Sequence, residues 1–122
     1  MAGWEDVEAI AGGLDEVEEG TSYGNRAWKV GGKLFVWERP LRKKEIEGLG
    51  GFEPDGAGPA GEILGVRVAD EEAKQALLSS RPEIYFTTPH FDGHPSVLIR
   101  LDRIPRADLD DAIVEAWHCR RS

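Results

Sequence analysis

Arg26-Ala27-Trp28-Lys29-Val30-Gly31-Gly32-Lys33-Leu34-Phe35-Val36-Trp37-Glu38-Arg39 is the stretch on which the fold turns. Two runs rich in aromatic and β-branched residues flank a glycine pair, and glycine accepts the positive φ that a two-residue hairpin turn demands. The stretch predicts an antiparallel hairpin. Side chains alternate along a strand, so Ala27 and Lys29 face away from Trp28 and Val30, and Phe35 shares a side with Trp37.

Upstream, Trp4, Val7, Ile10 and Leu14 recur at about one helical turn with acids between them, which predicts an amphipathic helix ended by Gly12-Gly13. Downstream of Pro40 the chain turns basic, and the Gly/Pro-rich run over 48–61 reads as a flexible connection. A strand is expected over 63–68. Asp70 then suits the N-cap of a helix over 71–80, because its carboxylate accepts free amide hydrogens, and Pro82 keeps that helix from continuing. Strands over 84–88 and 96–102 follow, separated by a loop containing His90, Asp92 and His94. Leu109, Ala112, Ile113, Ala116 and Trp117 mark a final helix with an acidic start and a basic end. The order is α-β-β-β-α-β-β-α: an α+β, two-layer domain with a five-stranded antiparallel sheet and helices on one face.

At 122 residues, one domain over 1–122 is expected, burying about two thirds of the surface its unfolded chain exposes. No apolar run approaches the ~20 residues that a bilayer crossing needs. The acidic N-terminal segment lacks the basic and then apolar pattern of a secretory leader, and a lone Cys119 forms no internal disulfide. Both features point to the reducing cytoplasm.

The net charge of −8 argues against polyphosphate partners at long range, but its distribution is uneven. Residues 1–19 carry seven acids and no Lys or Arg, whereas residues 26–44 carry seven cations against the single acid Glu38. That second stretch is therefore +6 and the remainder −14. Lys29, Lys33, Arg39, Arg42, Lys43 and Lys44 are the candidate nucleic-acid contacts, placed to meet phosphates rather than to read bases. The competing reading is that they are solvated or paired with acidic neighbours. Trp28, Phe35, Trp37, Tyr85 and His90 are candidates for a partner or ligand surface, weighed against burial in the core. A closed pocket lined by Trp28, Tyr85 or His90 would indicate a small-molecule site.

Several strings, in order, resemble the MmcQ/YjbR family: residues 18–24 (Glu-Glu-Gly-Thr-Ser-Tyr-Gly), 28–35 (Trp-Lys-Val-Gly-Gly-Lys-Leu-Phe), 88–91 (Thr-Pro-His-Phe) and 115–117 (Glu-Ala-Trp). The resemblance implies that family's two-layer fold, like that of secretion chaperones, and its classification as DNA-binding. Asp15 stands where the family commonly has proline, and the 48–61 connection is longer than usual.

No paired-cysteine spacing or helical His-Glu-x-x-His pattern supports a metal, no phosphate-binding glycine loop is present, and no nucleophile motif surrounds Cys119 or the serines. The sequence therefore predicts a non-enzymatic binding module with no catalytic residues, cofactor or metal. Its expected partners are DNA through the first hairpin and the segment after it or, alternatively, a protein or peptide at the open sheet face or edge.

Overall fold

A computed structural model describes residues 3–22, 24–39, 63–88 and 91–121. The expected hairpin is its centre. Strand β2 (Asn25–Val30) pairs antiparallel with β3 (Lys33–Glu38), and Gly31 and Gly32 turn the chain at φ +57° and +81°. Both angles lie in the left-handed region that glycine occupies without a steric penalty.

A strand absent from the sequence reading, β1 (Val17–Ser22), adds to the outer side of β2. Among the described residues the sheet therefore has six strands rather than five, in the order β1-β2-β3-β4-β6-β5, with β4 at Ile63–Arg67, β5 at Tyr85–Phe86 and β6 at Ser96–Arg100. Every neighbouring pair is antiparallel. Residues Glu18 to Thr21 are exposed, so β1 owes its conformation to hydrogen bonding with β2 rather than to burial of an apolar face. A hydrophobic-periodicity argument has nothing to detect there.

Among the described residues, three helices pack on one face of the sheet. Helix α1 (Trp4–Gly12) contributes Val7, Ile10 and Ala11, and α3 (Arg106–Arg121) contributes Leu109, Ile113, Ala116 and Trp117. These meet Trp28, Val30, Val36, Leu64, Val66, Val97 and Ile99 from the sheet. The Trp117 Nε1–H donates to the Asp15 carbonyl at 2.9 Å, and Arg106 meets Asp6 at 3.1 Å, tying α3 to the α1 region at both ends. Helix α2 (Glu71–Ser80) begins as expected, with the Asp70 carboxylate accepting from the Ala73 amide at 2.8 Å. Its Ala73, Leu77 and Leu78 pack half-buried against the same core.

The hairpin contains a bulge that the alternation rule misses. Lys29 lies opposite Leu34 and Trp28 opposite Val36, so Phe35 is the extra residue in β3. The bulge lets Phe35 join Val36 in the helix-covered core, while Trp37 points to the other face. Phe35 and Trp37 therefore do not share a side.

That second face is not open. Ala27, Trp37, Ile63, Phe86, Phe91 and Leu98 form a second buried cluster on it. The Trp37 indole lies across Gly65, its cross-strand partner, and 6.4 Å from the Phe91 ring. The backbone around Phe91 is held from below. Lys74 of α2 is 1% exposed, and its ammonium donates to the carbonyls of Phe91 at 2.6 Å and His94 at 2.9 Å. The 48–61 connection lies outside the described residues.

Candidate functional site

The cations of the basic stretch separate by face. Lys29 is exposed and alternates with Ala27, which puts it on the second face, directly across from Glu18 of β1. Arg39 follows β3 on that same face, with its guanidinium 5.4 Å from the centre of the Phe91 ring. Lys33 is exposed beside the glycine turn, at the opposite end of β3 from Arg39 and on the order of 20 Å away along the strand. Arg26, inside the same stretch, belongs to the other face. It stacks 4.9 Å over Trp28 and bonds Glu19 at 3.0 Å and Glu8 at 3.1 Å. The hydrogen bond to Glu19 is the main influence raising its pKa; burial opposes it and Glu8 adds to it. Arg42, Lys43, Lys44 and His90 lie outside the described residues.

Sequence reasoning missed Arg100. It ends β6 with its guanidinium 5.4 Å from the Phe86 ring, and its strand partner Ile63 also binds Arg39 through its carbonyl at 2.9 Å. Arg39 and Arg100 thus flank one residue of β4, about 10 Å apart across two strand spacings. Alternation with Leu98 in β6 was the available signal. It became usable only once the sheet order placed β6 two positions from β3.

The aromatic candidates do not form a stacking surface. Trp28 is 1% exposed and Phe35 fully buried in the helix-covered core, while Trp37 at 8% belongs to the second cluster. Burying large rings is how a domain of this size fills its interior, and both faces of this sheet are used for it. Tyr85, 6% exposed, has a different setting from the other rings. It lines a cleft of about 410 Å³ between α2 and α3, over β4 and β5, with Val66, Val68, Leu77 and Ala112 on its apolar side. Arg67, Arg81, Asp108, Asp111 and Glu115 supply its charges. Trp28 takes no part in it.

Among the described residues no three His, Cys, Asp or Glu side chains converge on a metal position. The His94 Nδ1 is within 2.8 Å of the Ser96 hydroxyl. Cys119 is half-buried, and burial, with Glu115 adding to it, pushes its thiol pKa up, so the thiol form dominates at neutral pH. Among the described residues no helix is long and apolar enough to cross a membrane.

Comparison with known proteins agrees with this architecture. Uncharacterized proteins of Mycobacterium bovis and Mycobacterium tuberculosis are each 51% identical to the chain over 119 residues, covering 96% of this chain and 87% of theirs. A crystal structure of a Deinococcus radiodurans protein superimposes with a TM-score of 0.68 at 15% identity, over 96% of this chain and 77% of that one, a likeness of fold. The YjbR family model matches residues 12–119, which takes in the described sheet, α2 and most of α3 but only the last residue of α1, and the chain belongs to the YjbR family.

Proposed function

We propose that the chain is a non-enzymatic binding module that contacts nucleic-acid phosphates through the second face of its sheet. The observation that supports this most is the separation of charge between layers. Glu5, Asp6 and Glu8 of α1 meet no cation on their own helix, and α3 carries Asp108, Asp110, Asp111 and Glu115 against Arg106, Arg120 and Arg121, two of which pair with Asp6 and Glu16. Lys29, Arg39 and Arg100 occupy the second sheet face, where Glu18 is the carboxylate set directly opposite Lys29. A molecule acidic overall then approaches polyphosphate through one side, and the repulsion from the other is screened beyond about 10 Å at 0.1 M salt. Lys33, opposite the core residue Val30 at the tip of the ribbon, stands on the helix-covered side and adds nothing to this face, while Arg42, Lys43 and Lys44 follow Arg39 in sequence. Contacts of this kind position a protein without reading bases.

Duplex DNA binding, followed by fluorescence anisotropy, should weaken steeply with salt, with log K falling by about 0.9 per neutralised phosphate for each unit of log salt. Changing Lys29 to glutamine should weaken binding on every sequence and flatten that slope by about 1. No binding at low salt would end this reading, and an unchanged slope in the Lys29 variant would remove the ribbon from it.

A second reading, a peptide adaptor, is favoured by one feature: β1 is a six-residue edge strand whose side chains from Glu18 to Thr21 are exposed. An edge of unpaired amides and carbonyls accepts an added strand, and Glu18 with Glu19 favours a basic one. A lysine-containing strand-forming peptide should then slow hydrogen exchange over 17–22. Unchanged exchange rates there would discard the adaptor.

A further inference from the structure

The cleft between α2 and α3 carries a property that neither phosphate contact nor edge pairing uses. Tyr85 is more than nine-tenths buried in its wall, and its hydroxyl has no hydrogen-bond partner among the described residues. Unlike the Arg67 Nε, the Tyr85 oxygen keeps access to solvent, so it opens onto the cavity, where water or a ligand group can meet it. Burial, foremost, and then the charges of Asp108 and Asp111 push the Tyr85 pKa up, opposed by Arg81. The phenol stays neutral at neutral pH and keeps its lone pairs as acceptors. Tyr85 and these acids line the same cleft.

The acidic wall is a stripe on α3. Asp108, Asp111 and Glu115 are spaced three and four residues apart, which sets them on one side of the helix. Asp108 is paired with Arg81 at 3.0 Å, while Asp111 and Glu115 have no ion pair among the described residues. The volume, about 410 Å³, falls within the range of small-molecule sites, and the floor is aliphatic. A polyphosphate would meet two unneutralised carboxylates at the mouth, whereas an ammonium carries three donors for these acceptors.

We propose that this cleft binds a small organic amine, its ammonium held by Asp111, Glu115 and the Tyr85 hydroxyl and its short apolar body laid over Val66, Val68 and Leu77. One group in the lining points the other way. Arg67 has no carboxylate partner among the described residues, its Nε is sealed from solvent without a hydrogen bond, and burial and the nearby Arg120 lower its pKa. An anion at Arg67 is therefore the opposing outcome, and matched probes separate the two.

The test is an NMR titration of the full chain with n-hexylammonium, hexanoate and 1-hexanol. The expected result is saturable shifts at Tyr85 and Ala112 with hexylammonium, and binding of the other two about ten-fold weaker or worse. The exposed pair Asp111→Asn and Glu115→Gln should cost about ten-fold in hexylammonium affinity while leaving the fold intact by circular dichroism. Tyr85→Phe, which keeps the ring, should weaken binding by a smaller factor. Hexanoate binding that is tighter than hexylammonium and lost in Arg67→Met would overturn the proposal in favour of an anion site. Equal binding of hexanol would reduce the cleft to an apolar crevice, and the absence of saturable shifts at millimolar probe would remove the site.

Discussion

Gly65→Ala should lower the thermal unfolding midpoint by about 10 °C, corresponding to about 3 kcal/mol. A methyl group at position 65 would come within 2.6 Å of the Trp37 Nε1 and Cζ2 atoms, with its closest approach on the same ring. An indole is rigid and cannot bend away as a lysine tip would, so the ring must leave its place. Trp37 is 8% exposed and packs against Phe91, so that displacement opens the second cluster. Two opposing effects are smaller. Alanine restricts the unfolded chain more than glycine, worth about 0.4 to 1 kcal/mol, and it suits a strand slightly better. The overpacking term exceeds both. Trp37→Leu in the same chain should recover much of the loss, and the coupling between the two changes, read from a double-mutant cycle, should exceed about 1 kcal/mol. A Gly65→Ala protein as stable as its parent would show that the ring does not lie across this glycine.

Lys74→Met is expected to cost about 3 kcal/mol and to speed amide exchange over 91–96 more than elsewhere. Methionine fills nearly the same space as the lysine stem, so little cavity is created. Two contributions then oppose each other. Removing the ammonium relieves the penalty of holding a charge away from water, a relief that can make such replacements neutral when every partner is replaced as well. Here the partners are backbone carbonyls of Phe91 and His94, which no side-chain change removes. Hydrogen bonds to a charged donor are worth about 1.5 to 3 kcal/mol each, and the Phe91 bond is buried, so its oxygen is left without water. The loss of the two bonds is therefore larger. Unchanged stability in the methionine variant would mean that the two effects cancel and that Lys74 does not hold this backbone.

The hairpin and the α2 cap were readable because each rests on a local rule: two glycines where positive φ is needed, and an aspartate ahead of a helix. Phe35 shows the limit of such rules. Its neighbours alternate regularly in sequence, and only the pairing of Lys29 with Leu34 reveals the extra residue that moves the ring to the other face. Local rules give no sign of Lys74's role for a related reason, since a lysine among polar neighbours on a helix ordinarily faces solvent, yet here loop carbonyls more than 15 positions away receive it. The candidate surfaces divide in the same way. Lys29 and Arg39 were visible as a charge cluster in the chain, whereas Arg100 joins them through strand order. Asp108 and Asp111 read as partners for the helix dipole, which hides that they also line a cleft with Tyr85.

The bond from the Trp117 indole to the Asp15 carbonyl spans 102 positions of sequence. Helix α3 also supplies Leu109, Ile113 and Ala116 to the interior, so the sheet made from earlier residues has much of its apolar face uncovered until the last part of the chain arrives. During synthesis on a ribosome, a nascent chain that has emerged through β6 still lacks this cover and presents Trp28, Leu64 and Ile99 to water. Closure of this domain is therefore a late event, set by the emergence of its final helix, and the unfinished chain is the stage at which aggregation or chaperone capture competes with folding.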